Sequence, residues 1–227
     1  MGTLYVVGTP IGNLEDISVR ALHVLQRVAL IASENPQRTQ RLLSRYQIQT
    51  PMMRYTDAYD RRKQSRIQAI LNALARGDVA LVSEAGMPGL ADPGYELVAL
   101  VREQGIPIQP IPGPTALGAA LSVAGIDCER FVFLGFLPRS PGARRELIAS
   151  MATSPFALVA YESPHRLLDT LADLEALLGD RPMAACSELT KLYEKTRRAT
   201  PGELLAHFRD HKPRGEFVLV IAPAARA

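Results

Sequence analysis

Short runs of apolar residues alternate along this chain with longer stretches in which apolar positions recur every three or four residues. Leu4–Val7, Val79–Val82, Phe131–Phe136 and Phe217–Ile221, with residues 106–111 and 157–161, read as strands, most of them flanked by Gly or Pro. Between them fall predicted helices. Ser18 is placed to cap one carrying Val19, Leu22, Leu25 and Val28. Asp60 is placed to cap another carrying Ile67, Ile70, Leu71 and Leu74, stopped by Gly77, and a third follows Pro93-Gly94 and stops at Gly105. Strands alternating with helices of this length predict parallel strands joined by crossover helices, an α/β fold. The stretch Ile111-Pro112-Gly113-Pro114 cannot lie inside a regular element, because proline removes donors and restricts the residue before it. A hinge there divides the chain into two α/β domains, residues 1–112 and 113–227. No low-complexity tract and no internal repeat is visible.

Composition narrows the class. The 227 residues are 47% apolar and 22% charged, which excludes disorder as a description of the chain. A chain of this length buries roughly 70–75% of its unfolded surface. Cys128 and Cys186 stand far apart with no ligand partner at metal spacing, so they read as buried thiols, and no metal is expected. Met1–Val7 has no basic leader, and no apolar run reaches membrane-spanning length, so a cytoplasmic protein is expected.

Three Gly- and Pro-bearing loops each follow a predicted strand: Gly8-Thr9-Pro10-Ile11-Gly12-Asn13, then Ser83-Glu84-Ala85-Gly86-Met87-Pro88-Gly89, then Pro112-Gly113-Pro114-Thr115-Ala116. In an open parallel sheet such loops line the ligand crevice, so together they predict a small-molecule cleft. The first loop lacks the dinucleotide fingerprint, the lysine of a phosphate-cradling loop is absent, and no Gly-x-Ser-x-Gly elbow occurs. Nicotinamide chemistry, nucleotide hydrolysis and serine esterase chemistry are therefore disfavoured. His207 and His211 share a helix face but read as a solvated helix terminus rather than a metal pair.

Charge is unevenly distributed. The formal net charge is only +3, yet residues 38–76 hold nine cations and two acids, a balance of +7 that leaves −4 elsewhere. Arg61, Arg62 and Lys63 are predicted in the first turn of a helix, where the macrodipole disfavours cations. That arrangement points to phosphate binding by Arg38, Arg41, Arg61, Arg62, Lys63 and Arg66, with Tyr46, Tyr55 and Tyr59 near enough to stack on bases. A solvated, arginine-rich face paired with distant acids is the alternative. Arg139, Arg144 and Arg145, in a loop entering a helix of the second half, form a second group that either contacts RNA or is a surface connection.

The residues 4–17, Leu-Tyr-Val-Val-Gly-Thr-Pro-Ile-Gly-Asn-Leu-Glu-Asp-Ile, closely resemble the start of the ribosomal RNA small subunit methyltransferase I family, in the tetrapyrrole methylase superfamily. The similarity continues through Asp92-Pro93-Gly94, Ile111-Pro112-Gly113-Pro114, Gly135-Phe136-Leu137-Pro138-Arg139, Tyr161-Glu162-Ser163-Pro164-His165-Arg166, Glu188-Leu189-Thr190-Lys191 and Gly215-Glu216, in order along nearly the whole chain. The resemblance implies two α/β domains with S-adenosylmethionine in the cleft between them, usually in a homodimer. It also implies methyl transfer to the 2′-hydroxyl of a cytidine in small-subunit ribosomal RNA, free or in the assembled subunit. Pro10, Ser83, Glu84, Ala85, Gly86, Pro88, Pro112, Gly113, Thr115 and Ala116 are then expected at the cofactor, with Tyr161 and Ser163 on the opposite wall. Phe136–Pro138 and Glu188–Lys191 are expected on that wall too.

A ribose hydroxyl gains from a base, for which Glu84 and Lys191, with Glu34 and Glu162, are the candidates. The chain departs from the family where Glu-Asp-Thr-Arg-His-Thr is replaced by Glu34-Asn35-Pro36-Gln37-Arg38-Thr39, and Ser-Asp-Ala-Gly-Thr-Pro by Ser83-Glu84-Ala85-Gly86-Met87-Pro88. Two other readings stay open: a methyltransferase acting on a tetrapyrrole or other small molecule, and an RNA-binding homologue without catalysis.

Overall fold

The computed structural model describes residues 2–58 and 61–224. The chain divides into two compact units, Met1–Thr115 and Ala116–Ala227. Each is described by itself.

The first unit holds five strands, β1 (Leu4–Val7), β2 (Leu30–Ser33), β3 (Met52–Arg54), β4 (Val79–Val82) and β5 (Ile108–Ile111). They form one parallel sheet in the order β3-β2-β4-β1-β5. Its helices are α1 (Val19–Arg27), α2 (Pro36–Arg45), α3 (Lys63–Leu74) and α4 (Tyr95–Glu103). Successive strand residues serve opposite faces. Tyr5, Val7, Ala80 and Val82 join α1 and α2 in one core, while Leu4, Val79 and Leu81 join α3 and α4 in the other. Both faces are thus covered, which is why these strands are continuously apolar. Ser18 caps α1 as expected, accepting from the Ala21 amide at 3.1 Å. Gly94 begins α4 at a φ of 141°, a backbone state reserved for glycine.

The second unit contains α5 (Ala116–Val123), β6 (Phe131–Phe136), α6 (Pro141–Ser150), β7 (Ala157–Glu162), α7 (Leu167–Leu178), β8 (Met183–Ser187), β9 (Lys195–Ala199), α8 (Pro201–Asp210) and β10 (Phe217–Ile221). Its sheet runs β6-β7-β10-β8-β9. Only β6 and β7 are parallel; β10 lies antiparallel between β7 and β8, and β9 is antiparallel to β8. The expectation of parallel strands throughout is corrected here. A strand buried on both faces reads alike in either direction, so the apolar run of β10 could not announce its orientation.

Candidate functional site

The three loops expected to form a cleft leave β4, β1 and β5, which are neighbours in the sheet, so all three emerge side by side at its carboxyl edge. They are locked together. Thr9 and Gly86 exchange main-chain hydrogen bonds of 2.8 and 3.0 Å, and the Gly8 amide donates to the Ile111 carbonyl at 3.0 Å. A Cβ on Gly8 would stand 2.7 Å from the Gly113 backbone, and one on Gly113 would stand 2.8 Å from Gly8. Only two glycines permit this approach. The Ser83 side chain is a support for its loop. Its buried hydroxyl donates to the carbonyls of Ala85 and Gly86 and shapes the loop from beneath.

Pro10 and Gly86 are buried, while Glu84, Ala85, Met87, Pro88, Gly113 and Thr115 are half-buried and Pro112 is exposed. The rim therefore presents main-chain groups with small or apolar side chains. None of the three loops carries Lys or Arg. This donor set fits a cofactor with an adenosine and a positively charged sulfonium, which basic loops would repel.

Beside the loop after β4 lies a pocket of about 510 Å³ lined by Glu34, Asn35, Pro36, Gln37, Arg54, Thr56 and Glu84. Its walls come from the carboxyl ends of β2, β3 and β4. Asn35 caps α2, accepting from the Arg38 amide at 3.3 Å, and its side chain donates to Glu84 Oε2 at 2.9 Å. Arg38 meets Glu84 Oε1 at 2.6 Å. Both oxygens of Glu84 are therefore engaged. Glu34 differs: its Oε2 accepts from the Glu84 main-chain N–H at 2.9 Å, while its Oε1 has no hydrogen bond or ion pair among the described residues. Sequence reasoning placed Glu84 first; the fold leaves Glu34 with the open oxygen. Asn35, where the chain departs from the resembled pattern, and Arg38 together tie the start of α2 to Glu84.

Basic residues surround this edge unevenly. Arg54 ends β3, Arg38 stands in the first turn of α2, and Arg61 and Arg62 are exposed just ahead of α3. Arg41 is exposed further along α2, and Arg66 is half-buried within α3. Because α3 begins at Lys63, Arg61 and Arg62 precede it, which corrects their expected placement in its first turn. Lys63 is paired with Glu96 and donates to the Asp57 carbonyl, so it is a structural cation rather than a free one. Tyr55 is also corrected. It is 1% exposed, its hydroxyl donates to Asp57 at 2.6 Å, and burial followed by the Asp57 carboxylate pushes its ionisation far up. Tyr46 is half-buried, with its hydroxyl on the Leu14 carbonyl at 2.9 Å. Tyr59 and the expected cap Asp60 lie outside the described residues.

In the second unit the Tyr161 hydroxyl accepts from the Leu117 amide in the first turn of α5 at 3.1 Å, and its ring meets Phe133 and Phe136 edge-on at 4.9 and 5.5 Å. Ala116, expected at the cofactor, is the first residue of α5. Glu162 is excluded as a base: it is fully buried, accepting from Thr170 Oγ1 at 2.6 Å and from the Ser163 amide at 2.8 Å. Arg166 fastens the preceding segment by donating to the Leu137 and Pro138 carbonyls, both at 2.8 Å. Lys191 donates to Glu188 Oε1 at 2.9 Å. Gly215 faces that same carboxylate, so a Cβ there would require Glu188 to move, and its φ of 74° favours glycine.

Arg144 is not a nucleic-acid contact. It is 4% exposed and bonds Asp173 at 2.6 Å, opposite Arg145, which bonds the other oxygen at 2.6 Å while staying exposed. Burial alone would raise Asp173, but the two guanidinium groups hold its carboxyl below the usual range. Arg139 is exposed. Cys186 is buried and Cys128 half-buried, both as free thiols pushed up by burial. Among the described residues no group of His, Cys, Asp and Glu is arranged to hold a metal, and no helix is long and apolar enough to cross a membrane.

Residues 3–205 match the tetrapyrrole (corrin/porphyrin) methylase family. The chain is 47% identical to a ribosomal RNA small subunit methyltransferase I of Synechocystis over 99% of its own length and 80% of that protein. It is 44% identical to one of Thermotoga maritima, over 98% and 99%. Among solved structures, a cobalt precorrin-4 methyltransferase superposes with a TM-score of 0.74 at 18% identity, covering 97% of this chain and 94% of that one. A uroporphyrin-III C-methyltransferase of Thermus thermophilus, solved with S-adenosylhomocysteine, superposes at 0.66 and 19% identity, covering 97% of each chain. Loop cluster, sheet order and chain-long similarity agree: the chain belongs to the tetrapyrrole methylase family and, within it, to the ribosomal RNA small subunit methyltransferase I group.

Proposed function

We propose that this protein transfers the methyl group of S-adenosylmethionine to the 2′-hydroxyl of a cytidine in the RNA of the small ribosomal subunit. The observation that carries this reading is the pocket beside the β4 loop, which a carboxylate with one open oxygen, Glu34, lines together with Arg54. The cofactor supplies a methyl carbon already activated by its sulfonium. The protein's share is to align the ribose oxygen behind that carbon and to receive the proton that the oxygen loses. With the cofactor bound, Glu34 Oε1 would receive that proton while the cofactor, having given up its methyl group, would leave as the neutral thioether. The Glu84 main-chain N–H holds the other oxygen of Glu34 in place, so Glu84 is a positioning residue. Lys191, engaged by Glu188, lies in the second unit, as do Tyr161 and Ser163. The loops holding Pro10, Ala85, Pro88, Pro112 and Gly113 bind the cofactor through main-chain groups.

Supporting an RNA substrate are the named relatives at 44 and 47% identity, against 18 and 19% for the tetrapyrrole enzymes of like fold. The exposed cations at Arg41, Arg61 and Arg62 suit a polyanion. As the family resemblance implies, the working form is read as a cytoplasmic homodimer, which sedimentation of the purified protein tests. The activity itself is tested with methyl-labelled cofactor offered to small ribosomal subunits, to naked small-subunit RNA and to uroporphyrinogen. Label is expected in RNA. Label in the porphyrinogen instead places the chain in the other branch, and cofactor binding without any transfer makes it a non-catalytic homologue.

A further inference from the structure

Residues 192–198, Leu-Tyr-Glu-Lys-Thr-Arg-Arg, are all exposed, an unbroken run across the entry to β9 and most of the strand. Leu192 and Tyr193 are 88% and 73% exposed. The strand pairs only with β8, so among the described residues its outer main-chain edge meets no other strand. Register fixes where its side chains go. Lys195 and Arg197 stand opposite Ser187 and Ala185, on the face that α8 covers, whereas Thr196 and Arg198 stand opposite Cys186 and Ala184 on the other. Among the described residues Lys195, Arg197 and Arg198 have no ion pair or side-chain hydrogen bond. On the adjoining α8, His207 and His211 stack at 4.4 Å, and desolvation followed by the Arg197 charge lowers the ionisation of His207, which favours its neutral form. Asp210 and Glu194 are the nearby acids, and Glu194 is turned back onto the Thr190 amide.

Charged side chains on an edge strand can serve simply to keep other strands away. One cation does that. Three uncompensated cations on both faces, beside an exposed tyrosine, do more. A second β9 is the wrong occupant, because pairing would set like charges against each other. A polyanion is the right one: its phosphates meet the cations and the edge amides, and an unpaired base stacks on Tyr193. We propose that Tyr193, Lys195, Arg197 and Arg198 form an RNA-contacting edge on the second unit. This rests on the reading that RNA is the substrate.

The test compares the wild-type protein with the Lys195→Gln/Arg197→Gln/Arg198→Gln variant, using single-stranded and duplex segments of small-subunit RNA as probes. Losing three phosphate contacts is expected to weaken binding roughly tenfold or more at physiological salt and to flatten the salt dependence by about 2 in log–log slope. Cofactor affinity, measured by calorimetry, stays unchanged. Tyr193→Ala lowers affinity for single-stranded but not duplex RNA. If the triple variant does not fold, Arg197→Gln alone should still reduce the slope by about 0.7. A folded variant with wild-type RNA affinity and slope overturns the proposal, as does one that merely changes oligomeric state. Failure of the wild-type protein to bind RNA at all overturns the substrate reading beneath it.

Discussion

Two arginine pairs in the second unit look interchangeable as sequence. Arg144-Arg145 stands early in a helix that begins Pro141-Gly142, and Arg197-Arg198 ends a short polar run. In the fold they have opposite fates. The first pair closes on Asp173, with Arg144 almost wholly buried, and the second projects into solvent without a partner among the described residues. The difference lies in a carboxylate 28 to 29 positions further along, supplied by α7. A cation's role is therefore decided by what the fold brings to it. The same contrast divides the carboxylates of the first unit: Glu84 is engaged at both oxygens and Glu34 at one.

The largest expected effect tests the carboxylate contrast. Glu34→Gln keeps the acceptor for the Glu84 amide but removes the base, and is expected to lower the single-turnover methyl-transfer rate about 10²- to 10⁴-fold. Cofactor affinity should hold. Equal loss from Glu84→Gln, with Glu34→Gln near wild type, would reverse the assignment.

Asp173→Asn comes next. It strips charge from a buried pair and leaves Arg144 uncompensated, which costs about 3–5 kcal/mol by denaturant titration, with RNA affinity of the folded fraction unaltered. The pH dependence has a definite sign. The folded carboxyl lies below its ordinary value, so its contribution is fully present above that value and is lost as pH falls through the lower, folded one. The variant should therefore show a flatter acid limb.

Arg61→Glu/Arg62→Glu leaves the structural Lys63 in place and is expected to weaken RNA binding several-fold while sparing cofactor affinity. Lys63→Gln marks the small end. Its ion pair with Glu96 is partly exposed and is worth no more than about 1 kcal/mol. A stability loss well above that would mean that the Asp57 contact carries more than the pair.

Much of this arrangement was legible beforehand. Glycine and proline betray the three loops because only they fit a tight exit from a parallel strand, and the apolar runs of β1, β4 and β10 announce burial. What escaped did so for physical reasons. β3 is a three-residue edge, β8 is Met-Ala-Ala-Cys-Ser without strong strand formers, and β9 has no large apolar residue, since its packing is with one neighbour and solvent. Tyr55 reads as an aromatic near cations, yet its hydroxyl partner Asp57 lets it go inside. The base could not be chosen from sequence because what separates Glu34 from Glu84 is a set of contacts reaching across 49 and 50 positions.

The central claim is that the methyl group lands on a ribose oxygen of ribosomal RNA. Alkaline hydrolysis tests it directly, because a 2′-O-methylated nucleotide cannot form the cyclic phosphate and its 3′ linkage survives. Small-subunit RNA labelled by this protein should release its label in one alkali-resistant dinucleotide beginning with cytidine. Label released as a mononucleotide would put the methyl group on a base and contradict the account.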